Sequence, residues 1–228
     1  MLLLVTDTSG KNGSVALARA GEAVDDDVHI IESVPLTGGT FSAQLVPQLA
    51  DLLSRHGFSK TQIDAFIVVS GPGSFTGLRV GLAAIKALAE ILAKPIVAVS
   101  LLEVLASGGG GSGKVMSGID AGRGEVYAGE YEFADGATRL IREKLLSKEE
   151  FLESARGGHV VTADQKIADQ ARAVGLAVVP VGTINPKMIG RLGWRKLQAG
   201  ETIDPAQLDA NYIRRTDAEI LAKPSAKS

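Results

Sequence analysis

Cysteine is absent from the 228 residues of the chain, which excludes a disulfide framework, a thiolate metal site and a cysteine nucleophile together. Histidine is scarce. His29, His56 and His159 are far apart and show neither HxxxH nor HExxH spacing, so no two of them share one helical face as metal ligands. Charge of one sign is also missing: 26 acidic against 24 basic residues leave a net charge of −2, too little to hold a polyanion by counterion release. Any nucleic acid would have to be held largely through a partner.

No apolar run approaches the roughly 20 residues that a membrane-spanning helix needs. The opening MLLLV lacks a basic flank and a small-residue cleavage site, and reads as a strand rather than a signal peptide. No membrane contact is expected, and the lack of cysteine suits a reducing cytoplasm. Motifs are missing too: there is no GxSxG elbow, and the glycine loop at 70–77 is neither a Walker loop nor GxGxxG. No catalytic residue and no metal ligand are assigned.

What is present suffices for folding. At 45% hydrophobic and 22% charged, the chain can build one large domain or two compact lobes. Strands are predicted at 2–5, 15–18, 28–34, 65–69, 96–99, 115–119, 125–133, 159–162 and 177–181. Helices are predicted at 41–56, from 76 or 77 to 92, and at 101–106, 148–155, 165–174 and 186–198. Pro47 should sit in the first turns of its helix or bend it. The acidic run Asp25, Asp26 and Asp27 reads as a solvated hairpin end. The tract GGGGSG at 108–113 is read as a flexible loop or lobe boundary. Mixed βα order argues for an α/β protein of two lobes, taken as 1–106 and 107–228, with the last segment free to return to the first lobe.

Three places could carry chemistry. The loop 70–76 lies between a buried strand and a helix start, where free amides and the helix dipole favour an anion. Gly71, Gly73 and Gly77, with Ser74 and Thr76, would let backbone approach a phosphate or nucleotide; a tight structural turn is the plainer alternative. Asp7 and Ser9 end the first strand, either facing a cleft or closing an Asx turn. Asp120 and Glu125 flank a turn in the second half, where general acid or base work would need a reacting group beside them.

The helix ending at Leu92 has an unusual pattern. At 100° per residue, Arg79, Lys86 and Glu90 share a stripe of about 40°. The large apolar residues cover about 200°, twice what one buried stripe requires. Such a helix has two faces to bury, either both within the chain or one against a partner through Leu78, Leu82 and Ile85.

The segment SGPGSFTGLRVG with PIVAVSLLEVLA, together with VTDTSGKNGSVAL, FSAQLVPQLADLL, IDAGRGEVYAGEY and ANYIRRTDAE, resembles the TsaB (YeaZ) family. The resemblance implies two RNase H-like lobes of the actin, Hsp70 and sugar-kinase fold group. It implies a non-catalytic subunit that pairs with a TsaD homologue, joined by TsaE, in threonylcarbamoylation of adenosine 37 of tRNA. ATP or ADP and metal would then be bound through the partners, not by this chain alone. Leu78, Leu82 and Ile85, with Leu45, Leu49 and Leu52 of the preceding helix, would serve the partner interface or the core beneath it, and a homodimer in isolation fits the same surface. Two positions depart from the family pattern: Phe41 stands where histidine is usual, and Gly122 with Arg123 replaces a basic pair. The alternative is a stand-alone ATPase or phosphotransferase of the same fold group.

Overall fold

The computed structural model describes residues 1–21, 28–37, 39–134 and 137–214; the acidic run 25–27 and the end of the ANYIRRTDAE segment lie outside them. Three antiparallel strands open the chain, β1 (Leu2–Asp7), β2 (Asn12–Arg19) and β3 (His29–Thr37). Helix α1 (Phe41–Arg55) leads to β4 (Ala65–Gly71), and α2 (Phe75–Leu92) to β5 (Ile96–Ser100), both strands parallel to β1. The sheet order is β3-β2-β1-β4-β5.

After α3 (Leu101–Gly109) the same plan recurs. Strands β6 (Gly113–Gly122), β7 (Glu125–Ala134) and β8 (Ala137–Ser147) form an antiparallel meander. Helices α4 (Lys148–Ser154) and α5 (Gln165–Ala173) then carry the chain to β9 (His159–Thr162) and β10 (Ala177–Pro180), which run parallel to β6. The second order, β10-β9-β6-β7-β8, is the first read in reverse. No repeat is visible in the residues, yet the two halves share one topology.

The connecting helices are exchanged. Helix α3 follows the first sheet but packs on β6, β7 and β8, while α6 (Pro186–Gln198) follows the second sheet and packs on all five strands of the first. The two helices also touch each other. The expected boundary at 106/107 falls inside α3, and α6 belongs by packing to the first sheet.

Alternation along β1 explains the layers. Leu2 and Leu4 enter one core with Leu45, Leu52 and Ile85 of α1 and α2, whereas Leu3 and Val5 enter another with Ile189 and Trp194 of α6. Both faces of the first sheet are thereby covered, which is why β4 is buried at every residue. Helix α6 starts where Asn185 accepts from the amides of Lys187 and Met188, with Pro186 in the first turn.

Pro47 lies in the second turn of α1, inside the helix, one of the two placements its missing amide proton allowed. Two local readings need correction. Gly108 and Gly109 extend α3, and a methyl group at Gly109 would lie 2.5 Å from Val161 Cγ2; the glycine tract is a packed helix end and a turn, not a free linker. Strand β8 has no counterpart among the predicted elements, because a bulge at Ile141 breaks its alternation.

Candidate functional site

The end of β1 and the start of α2 are built into each other. Asp7 Oδ1 accepts from the amide of Ser9 at 2.8 Å and from its hydroxyl at 2.6 Å, an Asx turn. Burial pushes the Asp7 carboxyl above its ordinary range, against the lowering effect of the Ser9 hydrogen bonds. The Ser9 carbonyl in turn accepts from the Ser74 amide at 2.6 Å. Ser74 caps α2 by accepting from the Gly77 amide at 3.3 Å.

The glycines serve this contact. A methyl group at Gly73 would lie 2.3 Å from the Ser9 carbonyl oxygen, at Gly77 2.2 Å from the Thr8 carbonyl oxygen, and at Gly81 2.1 Å from Thr8 Oγ1. Their close approach is to β1's own loop rather than to a ligand. The four-residue spacing of Gly77 and Gly81 was the available signal, since it places both on one side of α2, with Gly73 just before the helix start.

A cleft of about 900 Å³ opens between the two lobes. Ser9, Lys11, Ser74 and Thr76 line it from the first lobe, and Ile119, Asp120 and Tyr127 from the second. Of the loop residues proposed from sequence, Ser9, Gly73, Ser74, Thr76 and Gly77 line the cleft; Asp7 and Gly71 are not among its lining residues. Gly71 faces the C-terminal segment, where a methyl group would meet the Asn211 carbonyl oxygen at 2.9 Å. Asp120 accepts from the Gly122 amide at 3.2 Å, and Glu125 pairs with Arg214, so both have structural partners. Among the described residues, no group of three or more His, Asp or Glu is placed to hold a metal ion.

The two departures also acquire places. Phe41 is buried against Gly13 and Gly77 at the floor of the cleft, so it does not reshape an outer surface. Arg123 and Gly124, both at positive φ, form the tight connection of β6 to β7.

Leu45, Leu49, Leu52, Leu78, Leu82 and Ile85 are all buried in the core of this chain. Of the two roles left open from sequence, a partner interface or the core beneath it, they take the core. The outward side of α1 and α2 carries Val46, 50% exposed, and Ile91, 75% exposed, with exposed Ala43, Ala50, Ala83 and Ala87. The second flank of α2 is covered from within: Arg79 Nε donates to Tyr212 Oη at 2.9 Å, and Lys86 Nζ to the Ala206 carbonyl at 3.3 Å. No helix among the described residues is long and apolar enough to cross a membrane.

Two five-stranded sheets of one topology with a cleft between them define an α/β protein of two RNase H-like lobes, in the actin, Hsp70 and sugar-kinase fold group. The family model described as TsaD: tRNA N6-adenosine threonylcarbamoyltransferase matches residues 36–189. The tRNA threonylcarbamoyladenosine biosynthesis protein TsaB of Bacillus subtilis is 36% identical over 142 residues, 62% of this chain and 59% of that protein. The Escherichia coli protein of the same name is 35% identical over 135 residues, 58% and 55% of the two chains. The chain thus spans less than two thirds of the length of these curated relatives. A solved Pseudomonas aeruginosa protein described as similar to peptidase YEAZ superposes with a TM-score of 0.73 at 27% identity, covering 93% of this chain and 99% of that one. The chain belongs to the TsaB (YeaZ) family.

Proposed function

We propose that this chain is a non-catalytic, activating subunit that pairs with a TsaD homologue, with TsaE joining, for threonylcarbamoylation of adenosine 37 in tRNA. The observation that carries the pairing is the outward side of α1 and α2, where Val46 and Ile91 stand among alanines. Small residues let a partner helix approach closely, and exposed aliphatic side chains gain by burial there. ATP or ADP, metal and tRNA would be held mainly by the partners, in keeping with a net charge of −2. The same surface would serve a homodimer in isolation, and the setting is the cytoplasm.

The test is to mix the chain with the TsaD and TsaE homologues of its own species and follow sedimentation together with modification of tRNA supplied with threonylcarbamoyl-adenylate and ATP. A complex that forms only with TsaD, and modification that requires this chain, are the expected results. Absence of any complex would refute the reading.

A stand-alone ATPase or phosphotransferase draws support from one observation, the hydroxyls of Ser9, Ser74 and Thr76 in the cleft. It predicts nucleotide turnover by the chain alone. The close packing of Gly73 and Gly77 on β1's loop weighs against a phosphate seated on their backbone.

A further inference from the structure

Between the lobes lies a polar cluster centred on one carboxylate. Glu143, on β8, accepts from Ser100 Oγ at 2.5 Å, from the Tyr131 hydroxyl and from Asn211 Nδ2. The three donors come from three different parts of the fold. Ser100 ends β5 and caps α3, where the chain passes from one lobe to the other. Tyr131 is buried on β7 in the second sheet, and Asn211 belongs to the C-terminal segment. Burial first, and then the adjacent Glu143 carboxylate, push the Tyr131 phenol above its ordinary range, so it remains a donor.

The C-terminal segment itself spans both lobes. Ile203 bridges to Ile96 beside the outer edge of the first sheet, and Leu208 is buried in the core under α2. The Asn211 amide donates to the Ser70 carbonyl at 2.7 Å. The Tyr212 ring packs on Phe75 at 4.6 Å between centroids, with the Arg79 guanidinium 3.8 Å from the Phe75 centroid. Arg214 then pairs with Glu125 of β7 and lies 5.8 Å from the Tyr127 ring centroid, beside a wall of the cleft. A segment rooted on the first lobe therefore reaches the second.

We propose that Glu143 is a latch that sets the opening of the interlobe cleft, with residues 203–214 as the strap it fastens. The carboxylate ties β8, the β5–α3 crossing and the strap at one point. Losing it would remove the acceptor that Ser100, Tyr131 and Asn211 share and free the strap's middle from the second sheet. Glutamine at this position can still accept from Ser100 and Tyr131 through its carbonyl, and can donate to Asn211 once that amide turns over. Charge is dispensable in this latch; the hydrogen-bond geometry is not.

The absence of cysteine allows the opening to be read directly. Ser42→Cys and Ala121→Cys place spin labels on opposite walls of the cleft, and their separation is measured by double electron–electron resonance in the full chain. The parent should give one narrow distribution. Glu143→Ala and Asn211→Ala should each add a longer, broader population, while Glu143→Gln stays close to the parent. An unchanged distribution in both alanine variants overturns the latch, as does a Glu143→Gln distribution as broad as that of Glu143→Ala. If Glu143→Ala fails to fold, Asn211→Ala and Tyr131→Phe decide, each removing one donor: a lengthened distribution supports the latch and an unchanged one refutes it.

Discussion

Gly77 and Thr8 touch backbone to backbone, with room for no more than a hydrogen between them: a methyl group at Gly77 would lie 2.2 Å from the Thr8 carbonyl oxygen. Gly77→Ala must therefore push α2 away from β1's loop, at a cost of about 1–3 kcal/mol or more from overpacking. Gly81→Ala meets Thr8 Oγ1 instead, at 2.1 Å, and that atom can be removed. Urea denaturation should show Thr8→Ala recovering part of the Gly81→Ala loss and none of the Gly77→Ala loss. Equal recovery in the two backgrounds would contradict the distinction.

Asp7 yields a pH prediction. Burial raises its carboxyl above the ordinary aspartate value of 3.8, so the folded state holds the proton more tightly than the unfolded state. As pH climbs from about 4 through the folded value, the unfolded chain binds fewer protons and stability falls. Asp7→Asn keeps an oxygen to accept from Ser9 and removes the buried charge. Its stability advantage over the parent should be smallest near pH 4 and grow toward neutrality. A difference that is flat or shrinks with rising pH would show that Asp7 is not the group responsible.

Periodicity and end signals made much of this fold legible. The apolar spacing of Phe41, Leu45, Leu49 and Leu52 marks α1, and Asn185 followed by Pro186 marks the start of α6. Strand β8 was not legible, because Leu140 and Ile141 are consecutive apolar residues across a bulge and both are exposed. Nor could the site be read locally. Glu143 meets Ser100 and Asn211 across 43 and 68 residues of sequence, and nothing in the sequence around any of the three marks it as a partner of the others. The glycines of the 70–77 loop were visible as glycines, but what approaches them is set by where β1 ends, which is a property of the assembled sheet.

The glycine tract offers a separate test of packing against flexibility. Gly109→Ala would drive a methyl group to 2.5 Å from Val161 Cγ2, while Gly113, at φ +78, has open space around it. Gly113→Ala should lose only the left-handed backbone preference, about 1–2 kcal/mol. Gly109→Ala should lose stability by overpacking that Val161→Ala partly relieves, a coupling measurable as a double-mutant cycle. Additive effects of Gly109→Ala and Val161→Ala would mean that the helix end is loose after all.

On α2, burial separates residues that hold the fold from residues free to meet a partner. Ile85 is fully buried and Leu82 is 6% exposed, whereas Ile91 is 75% exposed. Ile85→Ala should cost about 2–5 kcal/mol in unfolding free energy, and Leu82→Glu should unfold the chain by placing an unpaired charge in its core. Loss of pairing by Leu82→Glu would therefore say nothing specific about an interface. Ile91→Glu should change stability by no more than about 0.5 kcal/mol, with an unaltered thermal transition. If the α1–α2 side is where a TsaD homologue docks, the same substitution should weaken the complex at least tenfold in a sedimentation titration, and Val46→Glu should do so independently. Full binding by both variants, with the fold intact, would move the partner to another surface.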